Sequence, residues 1–265
     1  MRLARWIVLS VGTLLIVLHA FPEDHSEKSY LDRAVISQTG DTVHIFANAP
    51  RPLAQALDAL ERKYWWKVSY EDPCYTSDLD LVDNIDPQYL KGHPGARAPV
   101  PSGGAFNVDF PSGPTPDKPP DEYSTLKAVV DAYNDSGNPG RFELRSDGKG
   151  NFDVVGVAAH DKGGRVVRQK PVLDLSITVA PRQTNAKDAI DLIRQALARQ
   201  IGTRVLDGAW GSQFVNEVTV MVGGEEEPAR TVLWRTLSAI SPNDGQLRWR
   251  LFWDPESAEY WLNVE

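Results

Sequence analysis

The chain has 265 residues, with 36 acidic against 28 basic side chains and a formal net charge of -8. This length suits one large domain or two of ordinary size. The acidic balance, without a basic block, excludes the electrostatic surface expected of a nucleic-acid-binding protein. Five scattered histidines and one cysteine, Cys74, offer neither regular metal-ligand spacing nor an intramolecular disulfide.

The N-terminus, residues 1–20, has the layout of a secretory signal. Two arginines precede an apolar run from Trp6 to Leu18, shorter than the roughly 20 apolar residues that a membrane-spanning helix needs. We expect a periplasmic or secreted protein with cleavage after Ala20; retention as an N-terminal anchor is the alternative. In either case the chain is not expected to be a multi-span membrane protein.

Two amphipathic helices are predicted, each directly after an Ala-Pro-Arg sequence. Their apolar residues recur at i, i+4, i+7 and i+11, which places them on one buried face. Pro52 suits the first turn of the first helix, and Thr184 or Asn185 can cap the second. The apolar stripes are Leu53, Leu57, Leu60 and Tyr64 in the first helix, and Ala186, Ile190, Ile193 and Leu197 in the second.

Strand-like runs flank both helices, TVHIFA and KVSY in the first case and LDLSITV and TRVL in the second. A third run, AFNVDF or EVTVMV, then a second helix and a closing hairpin follow in both. The hairpins turn at Asp147-Gly148 and near Asp254-Pro255. The order β-α-β-β-α-β-β therefore occurs twice, which predicts an α+β fold of two tandem similar units, residues 38–157 and 165–265.

The two copies differ mainly between their own halves. There the first copy carries a Pro- and Gly-rich insertion, at about residues 73–104, which predicts loops of functional or mobile character. The join between the copies contains Gly163-Gly164 and Pro171. We place the domain boundary at that join.

The first copy resembles the short N-terminal domain of secretins and TonB-dependent transducers. Between Val43 and Tyr70 it has a strand, Ala-Pro-Arg, the helix PLAQALDAL and the strand WKVSYED, and FNVDF and STLKAVVDAY are similar to the second half of that domain. The second copy, from Leu173 to Val264, has Gly202 where the family has Gly after its first helix. The first copy departs at this point, with Tyr-Trp-Trp in place of the Gly.

The resemblance implies two helices packed on a small mixed sheet in each copy, without the pore or barrel domain of that family. It also implies a periplasmic docking module that binds another cell-envelope protein, of the secretin, TonB-system or anti-sigma type, and performs no catalysis. Neither cofactor-binding nor nucleophile motifs occur in the chain, so we expect no cofactor and no enzyme activity.

An acidic stretch in the insertion is the nearest approach to a cation site. An EF-hand loop needs Gly at its sixth position and Glu at its twelfth, where this chain has Asp83 and Tyr89. We expect a solvated acidic loop and no metal. Its carboxylates would serve the alternative function, a carbohydrate- or peptidoglycan-acting enzyme or binding protein. The acidic residues are Asp78, Asp80, Asp83 and Asp86.

The final hairpin has two distinct faces. Alternation along the strand LRWRLFW places Leu247, Trp249, Leu251 and Trp253 in the core, joined by Tyr260, Leu262 and Val264 of the partner strand. The opposite face either is covered by helices or the other copy, or forms an exposed protein-binding patch, because Trp and Arg are frequent hot-spot residues. The candidate patch is Arg248, Arg250, Phe252 and Trp261.

Overall fold

The predicted mixed α+β fold is confirmed. The computed structural model describes residues 34–48, 50–115, 118–148, 150–210, 218–241 and 247–265. These residues carry five α-helices and fourteen β-strands and belong to one compact unit. In the described ranges no helix is long and apolar enough to cross a membrane. The predicted signal segment, residues 1–20, lies outside them.

The first half of the chain, residues 34–160, contains three helices and eight strands among its described residues. In chain order they are β1 (Val35–Thr39), β2 (Thr42–Ala47), α1 (Pro52–Tyr64), β3 (Val68–Glu71), β4 (Leu81–Asp83), α2 (Pro87–Gly92), β5 (Pro99–Pro101), β6 (Phe106–Pro111), α3 (Glu122–Asp135), β7 (Arg141–Ser146) and β8 (Phe152–His160). The predicted insertion supplies β4, α2 and β5, which form a short hairpin and one helix.

The second half, residues 172–265, has the element order of the first without β1 and the insertion. A short strand, β9 (Val166–Arg168), pairs with β8 and leads into it. The elements that follow are β10 (Ser176–Asn185), α4 (Ala186–Ile201), β11 (Val205–Trp210), β12 (Thr219–Pro228), α5 (Ala229–Ile240), β13 (Trp249–Asp254) and β14 (Glu259–Val264).

Strand pairing follows the same scheme in the two halves. The first strand of the unit pairs antiparallel with the third, as β2 with β6 and β10 with β12. The second strand pairs parallel with the last, as β3 with β8 and β11 with β14. The last two strands form an antiparallel hairpin, as β7 with β8 and β13 with β14.

One seven-stranded sheet crosses both halves, in the order β11-β14-β13-β3-β8-β7, with β9 paired to β8. The junction is a short parallel pairing of β13 with β3, in which Arg250 lies opposite Tyr70 and Leu251 opposite Glu71. Paired residues point to the same face of a sheet. Tyr70 and Arg250 therefore share one face, and Glu71 and Leu251 share the other.

Two hydrophobic cores lie on the opposite faces of this sheet. The first half packs α1 and α3 on the face of Val68 and Tyr70, with Leu57 and Leu126 fully buried. The second half packs α4 and α5 on the face of Leu251 and its neighbours. The predicted stripes of the helices face the two cores because their 3.6-residue spacing presents one apolar side to the sheet; Tyr64, the last residue of the α1 stripe, is only partly buried.

The ends of α1 and α4 show how two different residues perform one task. Asn185 caps α4 by accepting a hydrogen bond from the amide of Asp188 at 2.8 Å, as predicted. Helix α4 ends at Gly202, whose φ is 71°, in the left-handed region that favours glycine. Helix α1 ends at Trp65 with φ of 62°, so an aromatic residue takes the conformation that glycine takes in the other half.

Candidate docking surface

The core face of the final hairpin is as predicted. Trp249 and Leu251 are fully buried, and Trp253 donates a hydrogen bond from its indole Nε1 to the carbonyl of Tyr75 at 2.9 Å. The insertion therefore contributes to the core of the second half through Tyr75. Strand alternation places these side chains together because successive residues point to opposite faces.

Arg250 does not lie on an exposed patch; of the two alternatives predicted for this face, cover by the other half applies here. Its side chain is only 2% exposed, and its Nη2 lies 2.7 Å from Glu61 Oε2 and 2.5 Å from Asp58 Oδ1. Both carboxylates belong to α1 of the first half. Because the sheet is continuous across the halves, α1 covers the face of β13 that a separate second domain would leave open.

Arg248 and Phe252 also contact other residues of the same chain. Arg248 Nη2 lies 2.6 Å from Glu265 Oε2 and 3.0 Å from Glu61 Oε2. Phe252 is half-buried against the first core, where the Arg51 guanidinium stands 5.1 Å above its ring. Three of the four predicted patch residues therefore join the halves to each other.

Trp261 is the member of the predicted patch that is still accessible. Its side chain is 39% exposed, and it lies opposite Phe252 in the β13–β14 register. The neighbouring strand β11 stands at the end of the seven-stranded sheet. An exposed aromatic side chain next to a sheet edge is a surface suited to binding protein, since the edge offers unpaired backbone groups.

A second ionic cluster joins the halves on the other face of the sheet. Arg230 of α5 contacts Glu71 at 2.6 Å, Asp153 at 3.1 Å and Asp174 at 2.9 Å. Burial raises the pKa of Glu71 and of Asp153, although the Arg230 guanidinium opposes this shift. Breaking such a cluster from one side would leave buried carboxylates without their partner.

The acidic residues of the insertion do not converge on a cation. Asp80 is buried and accepts hydrogen bonds from His160, Asp83 pairs with Arg97 at 3.3 Å, and Asp86 caps α2 by accepting from the amide of Gln88. Asp78 begins a 3-10 turn, capped by Ser77. In the part of the chain that is described, no group of three or more His, Cys, Asp or Glu side chains could hold a metal ion.

The Asp80–His160 pair is a feature that sequence reasoning missed. His160 Nδ1 lies 2.6 Å from Asp80 Oδ1, and the His160 amide donates to Asp80 Oδ2 at 2.8 Å. The two residues come from separate elements, and no local motif relates them. A carboxylate can orient an imidazole for general base catalysis, but that chemistry also needs a nucleophile within reach of the ring. Burial raises the pKa of Cys74, which disfavours its reactive thiolate.

Comparisons with protein-family models, with curated protein sequences and with solved structures found no match to the chain. The surface is therefore interpreted from its own geometry. Its accessible part consists of Trp261 and the edge strand β11. Its buried part consists of the arginine–carboxylate clusters around Arg250 and Arg230.

Proposed function

We propose that this chain is a non-catalytic docking module of the cell envelope, built from two equivalent units fused through one sheet. The observation that carries the proposal is Trp261, an exposed aromatic side chain beside the end strand β11. The secretory layout of residues 1–20 supports an envelope location, and the partner classes are those of the resembled family: a secretin, a TonB-system or an anti-sigma component.

The buried charges support docking over catalysis. The carboxylates of Asp58, Glu61 and Glu71 each contact a buried arginine, which gives them a structural partner. Hydrolytic enzymes that use paired carboxylates need two of them facing a substrate cleft. In this chain Asp58, Glu61 and Glu71 instead face guanidinium groups between the halves.

The alternative function, a carbohydrate- or peptidoglycan-acting enzyme, has one observation in its favour, the Asp80–His160 pair. Hydrolysis of purified peptidoglycan and of a glycan panel by the wild-type chain and by His160→Ala would identify it. Turnover that is lost in His160→Ala would favour the enzyme over the docking module.

A photo-crosslinking residue at position 261, expressed in the native cell, tests the docking proposal. Met221, an exposed residue on β12, is the matched control position. We expect a specific adduct from position 261 and none from position 221. Mass spectrometry would identify the partner, and its purified form should bind Trp261→Ala at least tenfold more weakly than wild type. Equal adducts from both positions, or equal affinities, would contradict the proposal.

A further inference from the structure

The strand registers fix which residues of the two halves are equivalent. Val68 lies opposite Phe152 in the β3–β8 pair, and Val205 lies opposite Tyr260 in the β11–β14 pair. The residue that follows Phe152 is Asp153, and the residue that follows Tyr260 is Trp261. Exposed Trp261 therefore occupies the place of Asp153, which binds Arg230 at the internal junction.

The hairpins give a second equivalence. Leu144 of β7 lies opposite Val154, and Leu251 of β13 lies opposite Leu262. The residue that precedes Leu144 is Glu143, and the residue that precedes Leu251 is Arg250. Glu143 therefore stands on the outer strand β7 where Arg250 stands on β13.

The second helices of the two halves, α3 and α5, give a third equivalence. Helix α3 begins directly after Asp121, and α5 directly after Pro228, so that the second helical residue is Tyr123 in the first case and Arg230 in the second. Tyr123 is 48% exposed. Arg230 is instead largely buried in its carboxylate cluster.

The remaining pair lies on the first helix of each half. Glu61 of α1 accepts a hydrogen bond from the Val68 amide at 3.1 Å, at the start of β3. Arg194 of α4 donates to the Val205 carbonyl, at the start of β11. Glu61 and Arg194 thus occupy equivalent places with opposite charge.

The internal junction is head to tail. Strand β13 of the second half joins β3 of the first, while their equivalents β7 and β11 stand at the two ends of the sheet. Such a heterologous contact does not close on itself, so the same contact can in principle form again between molecules. Among the described residues, the outer edges of β7 and β11 have no partner strand.

We propose that a second copy of this chain docks on the β11 edge through its β7 edge, in the arrangement that joins β13 to β3 within one molecule. This proposal rests on the proposed docking function and names the partner of the Trp261 surface. The equivalences place Tyr123 of one copy against Trp261 of the next, where Arg230 meets Asp153 internally. They place Glu143 against Arg194, where Arg250 meets Glu61.

The aromatic contact is chemically complementary. Two exposed aromatic side chains meet, which buries apolar surface that each copy alone leaves in water. The charged contact is mixed, because the same equivalences set Glu143 against Arg194 but also beside Asp191 and Asp207. Lys187 pairs with both of these carboxylates, and Glu143 itself pairs with Arg168. The aromatic pair therefore contributes more to this contact than the ionic pair does. A bulge between Asp207 and Trp210 shortens the regular edge of β11, so the side chains carry more of this contact than the backbone does.

Sedimentation velocity over a concentration series tests the proposal on the full exported chain. We expect wild type to form dimers and longer species as the concentration rises into the range of about 100 µM, a range typical of weak self-association. Trp261→Ala and Tyr123→Ala should each raise the dissociation constant at least tenfold, and Met221→Ala should leave it unchanged. Wild type that stays monomeric throughout would overturn the proposal.

Two charged variants, tested alone and mixed, distinguish a loss of this contact from a loss of folding. Trp261→Asp alone should sediment as a monomer, because it places a carboxylate against the Tyr123 ring. Tyr123→Arg alone should associate only weakly, because its guanidinium keeps a cation–π contact with Trp261. An equimolar mixture should associate again, because Asp and Arg then recreate the internal Arg230–Asp153 contact between molecules. A mixture that stays monomeric would overturn the proposal, whereas the docking function would still stand if position 261 crosslinks to another protein.

Discussion

The inner junction of the seven-stranded sheet and its two outer ends differ in chemistry. At the inner junction, β13 meets β3, and arginines on both faces bind buried carboxylates. Near the two ends of the sheet, Trp261 and Tyr123 are exposed to solvent, and in the proposed equivalence they take the places of Asp153 and Arg230. A permanent contact between halves can hold charges that need exact partners, because those partners never leave. A surface that binds and releases a partner avoids this desolvation cost with neutral aromatic side chains, which lose little hydration when they are covered.

The largest expected effect is at the inner junction. Arg250→Ala would leave Asp58 without its guanidinium and Glu61 with Arg248 alone, and burial already raises the pKa of both carboxyls. We expect a loss of about 3–5 kcal/mol in the free energy of unfolding, measured by urea titration. The matched control is Arg165→Ala, whose exposed pair with Asp161 should contribute little because solvent screens it. Equal losses for the two variants would show that the Arg250 cluster does not hold the halves together.

Substitutions at the C-terminal ends of α4 and α1 should change the stability of the chain in opposite directions. Gly202→Ala places a side chain in a left-handed conformation and should cost about 1 kcal/mol. Trp65→Gly removes a side chain that is 86% exposed from the same conformation. It should stabilise the chain by about 0.5 kcal/mol, because the relief of strain exceeds the added chain entropy. Thermal melts of both variants measure this difference, and a destabilised Trp65→Gly would mean that Trp65 makes stabilising contacts.

The first residue of α3 is titratable, and the first residue of α5 is not. Burial, with a smaller contribution from Asp121, raises the pKa of Glu122 from 4.5 to about 7, whereas α5 begins with Ala229. The folded chain holds this proton more tightly than the unfolded chain, so stability falls as the pH rises from 4.5 to 7.

Glu122→Gln should therefore match wild type below pH 4.5 and exceed it by about 1 kcal/mol at pH 8, since water screens the half-buried carboxyl. Urea titrations at pH 4 and pH 8 give the comparison. A gain at pH 4 alone would reverse the sign of this linkage.

The smallest effect on stability is expected at the outer edge. Trp261→Ala removes an exposed side chain, so the free energy of unfolding should change by about 0.5 kcal/mol or less. A thermal melt beside wild type measures it. A loss of several kcal/mol would instead place Trp261 in the core and remove it from the docking surface.

Periodicity predicted the parts of the fold that depend on local spacing. The stripe from Leu53 to Tyr64 and the alternation around Trp249 gave the correct buried faces, because helices and strands repeat at different intervals. Periodicity left open whether Arg250 is covered or exposed, because its burial depends on α1, which lies far away in the sequence. The Asp80–His160 pair was missed for the same reason.

The equivalence of the two halves underlies both proposals, and an experimental structure tests it most directly. Superposing α1 and the strands β3, β7 and β8 on α4 and the strands β11, β13 and β14 should bring α3 onto α5 without further adjustment. It should also place Trp261 on Asp153 and Arg194 on Glu61. If α1 and α4 occupy different positions relative to their strands, or if β13 does not pair with β3, the account is contradicted.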